Sequence, residues 1–502
     1  MIEIEKTPRE ECGLFALYLH PTLASNNIVD QTLDPALKNQ NRGEESAGIS
    51  VSDGFSVWHP LKRMGKIPSL YEDYKELKKV NGGYHGYIAV VHNRYSTTGL
   101  PNLENTSPFR AETALGAFTA SLNGNITNAA ELKASLMKEG VEFASTTDSE
   151  VVTALIAQSP GNSWQEKVRE ALTRLEGAFC LVITTKDAVL AARDRNGIHP
   201  LSIAYFEVDG KECFAVSSET AAFSKLLGAV EHVEDVLPGE LVEIKDSQMT
   251  KSRFITDSEE AFCKLELVYL MRQESRFEGR QLAAIRRHLG RRLARTCPPP
   301  PGADLVTCIP ESAGPASRGY AEESRFPWEE TLTKDRNGTL GVGSRGFMNP
   351  TPSGRKKVGE NYGALDTVID KKIVVVDDSI IGGTTARAVV EIYKRFIGEL
   401  KNRGAKEVHL RIVLSQVIGF CPYGVDIDEK RYLIAKEFAQ NVDEIAREIG
   451  ADSLAFLPLG EFQEGINEVV GRKVGLCQGC TTGVYPQPVS RADKLIFESE
   501  IK

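Results

Sequence analysis

The chain of 502 residues lacks three things: an apolar run long enough to cross a bilayer, a basic leader followed by an apolar stretch, and an excess of positive charge. The first two absences give the expectation of a protein that is neither membrane-spanning nor exported, and so cytoplasmic. With 60 Lys and Arg against 69 Asp and Glu, the formal net charge is -9, which argues against a nucleic-acid-binding surface. No internal repeat and no G-x-x-x-x-G-K-[ST] phosphate loop occurs. Nine cysteines in so long a cytosolic chain do not suggest a disulfide framework. What is present is a globular composition, 41% hydrophobic and 26% charged, on a chain too long for one core, so two domains are expected.

The texture of the sequence divides accordingly. From Cys12 to about Glu243, short apolar runs recur between turns, among them GYIAVVHNRYSTTG, GAFTASLNGNITN, GAFCLVITT and CFAVSSET. That half reads as strand-rich α+β. Beyond the polar run KDSQMTKSRFITDSEE, long helical stretches alternate with isolated buried strands, LVTCIPES, KKIVVVDDS and EVHLRIVLS. Strand, helix, strand at this spacing predicts a parallel βαβ unit. The expected boundary lies between residues 245 and 262.

Cys12 stands in EECGLFAL with no C-G-x-x-C and no local Cys/His pattern. A thiolate needs a lowered pKa or a neighbouring base. Cleavage before the cysteine would supply one, because its own new α-amino group, with a pKa near ~8, can take the thiol proton. Residues 1–11 would then be a propeptide. On these residues alone, a buried packing cysteine is the better reading.

Seven blocks in order carry a resemblance. They are CGLFAL, QNRGEESAGI, HNRYSTTG, ENTSPF, LNGNITNAAEL, TTDSEVV and DRNGIHPL. Their sequence and order resemble those of the N-terminal-nucleophile glutamine amidotransferases, and most of all the amidophosphoribosyltransferases of purine synthesis. The resemblance implies a four-layer αββα N-terminal-nucleophile hydrolase domain with Cys12 as nucleophile, Asn123 and the Gly124 N–H as oxyanion donors, and Arg94 and Asp148 as ligands of the glutamine α-carboxylate and α-amine. These residue types suit those tasks: a guanidinium fork matches a carboxylate, and preorganised donors stabilise a tetrahedral oxyanion. A surface arginine, a turn-forming Asn-Gly and a helix-capping Asp are the alternatives that the residues leave open. Arg42, in QNRGEE, is assigned only to shaping the pocket.

In the second half, KKIVVVDDSIIGGTTARAVVEIY places Asp377 and Asp378 at the end of a buried strand, where ligands of parallel α/β sheets bind. The turn Gly382, Gly383, Thr384, Thr385 then offers backbone N–H groups, hydroxyls and a helix start to a phosphate. An acidic turn after a core strand is the plain alternative. The block resembles the diphosphoribose motif of type I phosphoribosyltransferases, which implies Mg²⁺ at Asp377, Asp378 and Ser312. GVGSRG matches G-x-G-x-x-G, but neither a strand before it nor a helix after it supports a dinucleotide site. By comparison with the family, Arg336, Arg345, Arg355, Lys356 and Lys357 would belong to a basic loop over the diphosphate; a solvated charge run is the alternative.

Cys477 and Cys480 form a C-x-x-C, ambiguous by itself between metal, redox chemistry and chance. Cys263 and Cys421 stand where one branch of the family, which also carries an eleven-residue propeptide, has its other cluster ligands. The resemblance therefore implies a [4Fe-4S] cluster on these four, with a structural Zn²⁺ as the other fit for four thiolates. Cys180, Cys213, Cys297 and Cys308 read as packing residues.

The chain departs from the family at Gly383, where arginine is usual, at Gln273 and Glu274, which stand for Pro-Asp, and at His199, which stands for arginine. Its lid is also longer, and ENYGALDTV replaces a Lys-Leu-Asn segment. The expected organisation is a propeptide (1–11), a glutaminase domain (12–250), a phosphoribosyltransferase domain (263–465) and a tail with cluster ligands (466–502). The implied reaction joins glutamine and phosphoribosyl diphosphate in a homo-oligomer, tetramer or dimer, with purine nucleotides as inhibitors. A glutaminase serving another phosphosugar, or a non-catalytic nucleotide-binding regulator, are the alternatives that the departures favour.

Overall fold

The computed structural model describes residues 12–95, 102–310, 312–334, 362–381, 388–427 and 433–489. The chain separates into two units. One runs to Phe262 and takes back Pro422–Val425 and the residues from Tyr485 on; the other holds Cys263–Cys421 and Asp426–Val484. The first unit therefore runs past residue 250 to Phe262, and residues 466–484, expected as a tail carrying cluster ligands, belong to the second unit. The short returning segments carry no periodic signal, because side-chain-to-backbone hydrogen bonds to distant residues and a few buried side chains, not an amphipathic face, hold them.

Two antiparallel sheets form the first unit among the described residues. One contains β1 (Gly13–Tyr18), β2 (Ser46–Ser52), β3 (Leu61–Met64), β4 (Ile88–Arg94), β9 (Ser202–Val208), β10 (Lys211–Ser217) and β11 (Val230–Asp235), in the order β11-β9-β10-β1-β4-β2-β3. The other contains β5 (Phe109–Thr113), β6 (Gly116–Ile126), β7 (Gly177–Thr184), β8 (Ala188–Arg193), β12 (Glu240–Lys245) and β13 (Gln248–Arg253), in the order β13-β12-β8-β7-β6-β5. The strands β1, β2, β4, β6 and β7 are almost wholly buried, as expected of strands covered on both faces.

Helices α1 (Ile28–Ala36) and α2 (Ile67–Asn81) share an apolar core with the first sheet, joining Ile28, Leu33, Ile67 and Leu70 to Ile49 and Val91. Helices α3 (Ala129–Lys138), α4 (Asp148–Gln158) and α5 (Trp164–Thr173) cover the second, with Val152, Leu155 and Val168 against Phe118, Leu122 and Leu181. The layers are thus αββα, as the resemblance implied. The DRNG block is a tight turn after β8. Buried Asp194 accepts from the backbone N–H of Asn196 (2.8 Å), Ile198 (3.1 Å) and Phe179 (3.3 Å), which offsets the cost of removing its charge from water.

The second unit is built on a parallel sheet of Leu305–Cys308, Lys372–Asp377, Glu407–Ile412 and Ser453–Phe456, in that spatial order. Helix Ala388–Asn402 makes the crossover between the second and third of these strands, completing the βαβ unit read from the sequence. No described helix is long and apolar enough to cross a membrane.

Candidate active site

Strand register explains how distant blocks of the first unit meet. Leu14 and Gly48 both pair with His92, and Ser46 pairs with Arg94, so the ends of β1, β2 and β4 lie side by side. Because side chains alternate along a strand, Leu14, His92 and Arg94 share one face of that sheet. His92 Nε2 lies 3.0 Å from the Leu122 carbonyl of β6, which puts that face against the second sheet. Asn123 is the next residue on β6.

Cys12 is buried just before β1. Its Sγ lies 3.4 Å from both the N–H and the carbonyl of Tyr95, and Arg42 Nε donates to its backbone carbonyl at 3.3 Å. Arg42 also pairs with fully buried Glu219 at 3.3 Å, so it ties the Cys12 backbone to Glu219. Burial pushes the Cys12 thiol up to about 12; Arg94 pulls the other way, and Asp148 and Glu45 add to the rise. The nucleophile, the cation and the carboxylate named from the sequence are therefore within electrostatic reach of one another. Arg94 likewise lowers the pKa of Asp148, which burial raises more strongly. Asp148 is the first residue of α4 and accepts from the Ile126 N–H at 3.1 Å. Thr147, not Asp148, caps this helix by accepting from the Ser149 N–H at 3.4 Å, and its own hydroxyl donates to the Asp148 carboxylate at 3.2 Å.

Asn123 is 0% exposed, and among the described residues neither its Oδ1 nor its Nδ2 has a hydrogen-bond partner. A buried amide with both ends unmatched is costly, so a group it binds is the physical reason to keep it there. Gly124 beside it has φ +125°, and a Cβ there would stand 2.1 Å from the Ala178 carbonyl. Only glycine fits.

In the second unit Asp377 ends its strand, buried with Asp378. Burial first, then the Asp378 charge, raises the Asp377 carboxyl well above the usual carboxylate range. Tyr393, which the sequence reading did not single out, donates its hydroxyl to Asp377, and the Asp378 N–H donates to it at 2.9 Å. Ser312 follows the neighbouring strand Leu305–Cys308, whose Cys308 pairs with Val376, so it comes from the same carboxyl edge. Gly382, Gly383, Thr384 and Thr385 lie outside the described residues, as do residues 1–11, GVGSRG and Arg336, Arg345, Arg355, Lys356 and Lys357.

The cysteines converge in the second unit. Cys263, Cys477 and Cys480 each act electrostatically on buried Lys264, and Cys421 acts on both Cys477 and Cys480. None is in a disulfide. Burial pushes Cys477 up to about 12 and Cys480 up to about 11. Lys264 Nζ donates to Thr481 Oγ1 at 2.5 Å. The donor set, four thiols and no imidazole, fits a [4Fe-4S] cluster or Zn²⁺ in kind. Among the described residues, however, no three His, Cys, Asp or Glu side chains are drawn together as ligands of a metal ion.

Residues 92–225 match the glutamine amidotransferase domain family. The chain is 35% identical to the amidophosphoribosyltransferase of Synechococcus elongatus over 99% of its own length and 96% of the relative's. It is 34% identical to that of Methanocaldococcus jannaschii, covering 95% of this chain and 98% of that one. Among solved structures, the glutamine phosphoribosylpyrophosphate amidotransferase of B. subtilis complexed with ADP and GMP superposes with a TM-score of 0.81 at 30% identity, over 96% of this chain and 98% of that chain.

Proposed function

Since the chain belongs to the amidophosphoribosyltransferase family, we propose that Cys12, Arg94, Asp148, Asn123 and Gly124 form its glutaminase site and Asp377, Asp378 and Ser312 part of its phosphoribosyl site. The enzyme transfers the amide nitrogen of glutamine to phosphoribosyl diphosphate, giving 5-phosphoribosylamine, glutamate and pyrophosphate, the first step of purine biosynthesis. The alternatives of another phosphosugar acceptor or a non-catalytic regulator lose their ground, because the likeness extends over both halves of the chain.

In the glutaminase half, the Cys12 thiolate attacks the side-chain carbonyl carbon of glutamine. The Asn123 amide and the Gly124 N–H receive the oxyanion, and ammonia leaves with the proton taken from the thiol. Water then hydrolyses the thioester to glutamate. Arg94 binds the α-carboxylate and Asp148 the α-ammonium. A thiol held near 12 by burial needs a base at hand. Cleavage after Glu11 supplies the α-amine of Cys12, with a pKa near ~8. The single observation that carries this reading is the buried amide of Asn123, which is unpaired among the described residues. Asn123→Ala should lower kcat with glutamine by about 10²–10³-fold at little change in KM. Unchanged kcat would remove Asn123 from the reaction.

Ammonia displaces pyrophosphate from C1 of the ribose. Mg²⁺, held by Asp377, Asp378 and Ser312, would supply charge neutralisation to the departing pyrophosphate; Gly382, Gly383, Thr384 and Thr385 are proposed to bind its phosphates. Cys263, Cys421, Cys477 and Cys480 are proposed to hold a [4Fe-4S] cluster of structural role, since it would tie three distant segments of the chain together. Burial lowers the Lys264 pKa while the cysteines around it raise it, and a protonated Lys264 would offset the negative charge of thiolates ligating such a cluster. Anaerobically purified protein should be brown, with about four iron and four sulfide per chain, and air should bleach it. One zinc per chain in colourless active protein would decide for Zn²⁺. Purine nucleotides are proposed as inhibitors, supported by the ADP and GMP of the B. subtilis structure. Assembly as a homo-oligomer and a cytoplasmic location rest on the family resemblance.

A further inference from the structure

We propose that Pro422–Val425 is a positioning strap for the oxyanion donors on β6, and that Gly424 is the residue that lets it seat. The inference rests on the assignment of Asn123 and Gly124 above. In sequence this segment lies between a core strand and a helix of the phosphoribosyl half, yet it packs as part of the glutaminase unit.

Three successive residues make the contact. Asn125 Nδ2 donates to the Pro422 carbonyl at 2.9 Å, and His199 Nε2 donates to the Tyr423 carbonyl at 2.6 Å. At Gly424, φ is +117°, and a Cβ would stand 3.2 Å from Gly124 Cα, 3.3 Å from Gly124 C and 3.4 Å from His199 Nε2. Gly124 is thus enclosed from two sides, by the Ala178 carbonyl of β7 and by the strap. A second clip steadies the same turn. Tyr423, fully buried, has its hydroxyl 3.1 Å from the Gln487 N–H, and Gln487 brackets Gly177 by accepting its N–H at 3.0 Å and donating to its carbonyl at 2.8 Å. Gly177 pairs with Ile126, two residues beyond Gly124.

Held this way, the Gly124 N–H has one direction. Displacing a catalytic donor by a fraction of an ångström weakens transition-state binding with little effect on substrate binding. His199, which departs from the family pattern, has its role here: it fixes the strap from the DRNGIHPL turn.

The test uses the full chain. Gly424→Ala should lower kcat with glutamine about tenfold at unchanged KM, and weaken by a similar factor the binding of the γ-aldehyde of glutamate, which forms a tetrahedral adduct with Cys12. Ammonia-dependent phosphoribosylamine formation should be unchanged. His199→Ala should act in the same direction, and His199→Gln, which can present an N–H to the Tyr423 carbonyl, should restore the rate. Normal kcat and normal aldehyde affinity in Gly424→Ala and His199→Ala would overturn the strap, as would an equal loss of ammonia-dependent turnover, which would mean general misfolding. Should Asn123→Ala also leave kcat intact, the oxyanion assignment itself falls; should Asn123→Ala depress it while Gly424→Ala does not, the strap alone falls.

Discussion

Cys12→Ala should lose glutamine-dependent synthesis of phosphoribosylamine by ~10⁴-fold or more while retaining synthesis from free ammonia, because removing a covalent nucleophile leaves only binding and oxyanion stabilisation behind. The thiol proposed for this role has unusual surroundings. Burial holds it near 12, and Arg94 is the positive charge that acts on it. Arg94 is also the residue proposed for the glutamine carboxylate, so occupation of the pocket removes part of that help, and the α-amine created by processing becomes the necessary base. Active protein should therefore begin at Cys12 by intact mass. Active protein that keeps Met1 would show that another base serves the thiol.

Asp378→Ala should reduce pyrophosphate release by about 10³-fold, the several kcal/mol that a held cation supplies to phosphate departure, without affecting glutamate production measured in the absence of the sugar. Two carboxylates buried side by side are costly without a cation, which is why Asp377 is raised so far by burial and by Asp378. A variant with normal turnover of phosphoribosyl diphosphate would reduce the pair to an acidic turn. Restoring arginine at Gly383 probes the same site from the other side, and a higher rate would mean that the departure had weakened the reaction.

How much of this was legible depended on the range of the interaction. The elements that carry the site were readable from local pattern: GLFALY is β1, IAVVHNR is β4, and KIVVVD is the strand that delivers Asp377. Each is an apolar run closed by polar residues, and burial on both faces enforces that composition. The residues proposed for the glutaminase site were legible only as blocks in order, since no spacing in one dimension brings Cys12, Arg94, Asn123 and Asp148 together; the register of β1 on β4 and the packing of β4 on β6 bring their strands together. Hidden entirely were the contacts that join residues far apart in the sequence through one or two hydrogen bonds. Tyr423 at His199, Gln487 at Gly177 and Arg42 at Glu219 are of this kind. Tyr393 at Asp377 is closer in sequence but equally silent, because a tyrosine in an amphipathic helix reads as core. The sequence boundary near residue 250 placed Phe254 and Phe262 outside the first unit, although both are buried in it. Their polar neighbours KDSQMTKSRFITDSEE resemble a linker, yet they include β13, an edge strand whose exposed residues are polar.

The most direct test of the central claim is to supply glutamine labelled with ¹⁵N in its side-chain amide together with phosphoribosyl diphosphate and Mg²⁺, and to follow nitrogen and pyrophosphate in one reaction. The account predicts one pyrophosphate and one glutamate for each ¹⁵N found on C1 of the phosphoribosyl product. Labelled ammonia released with glutamate but without pyrophosphate would contradict it, leaving a glutaminase whose second half does something else.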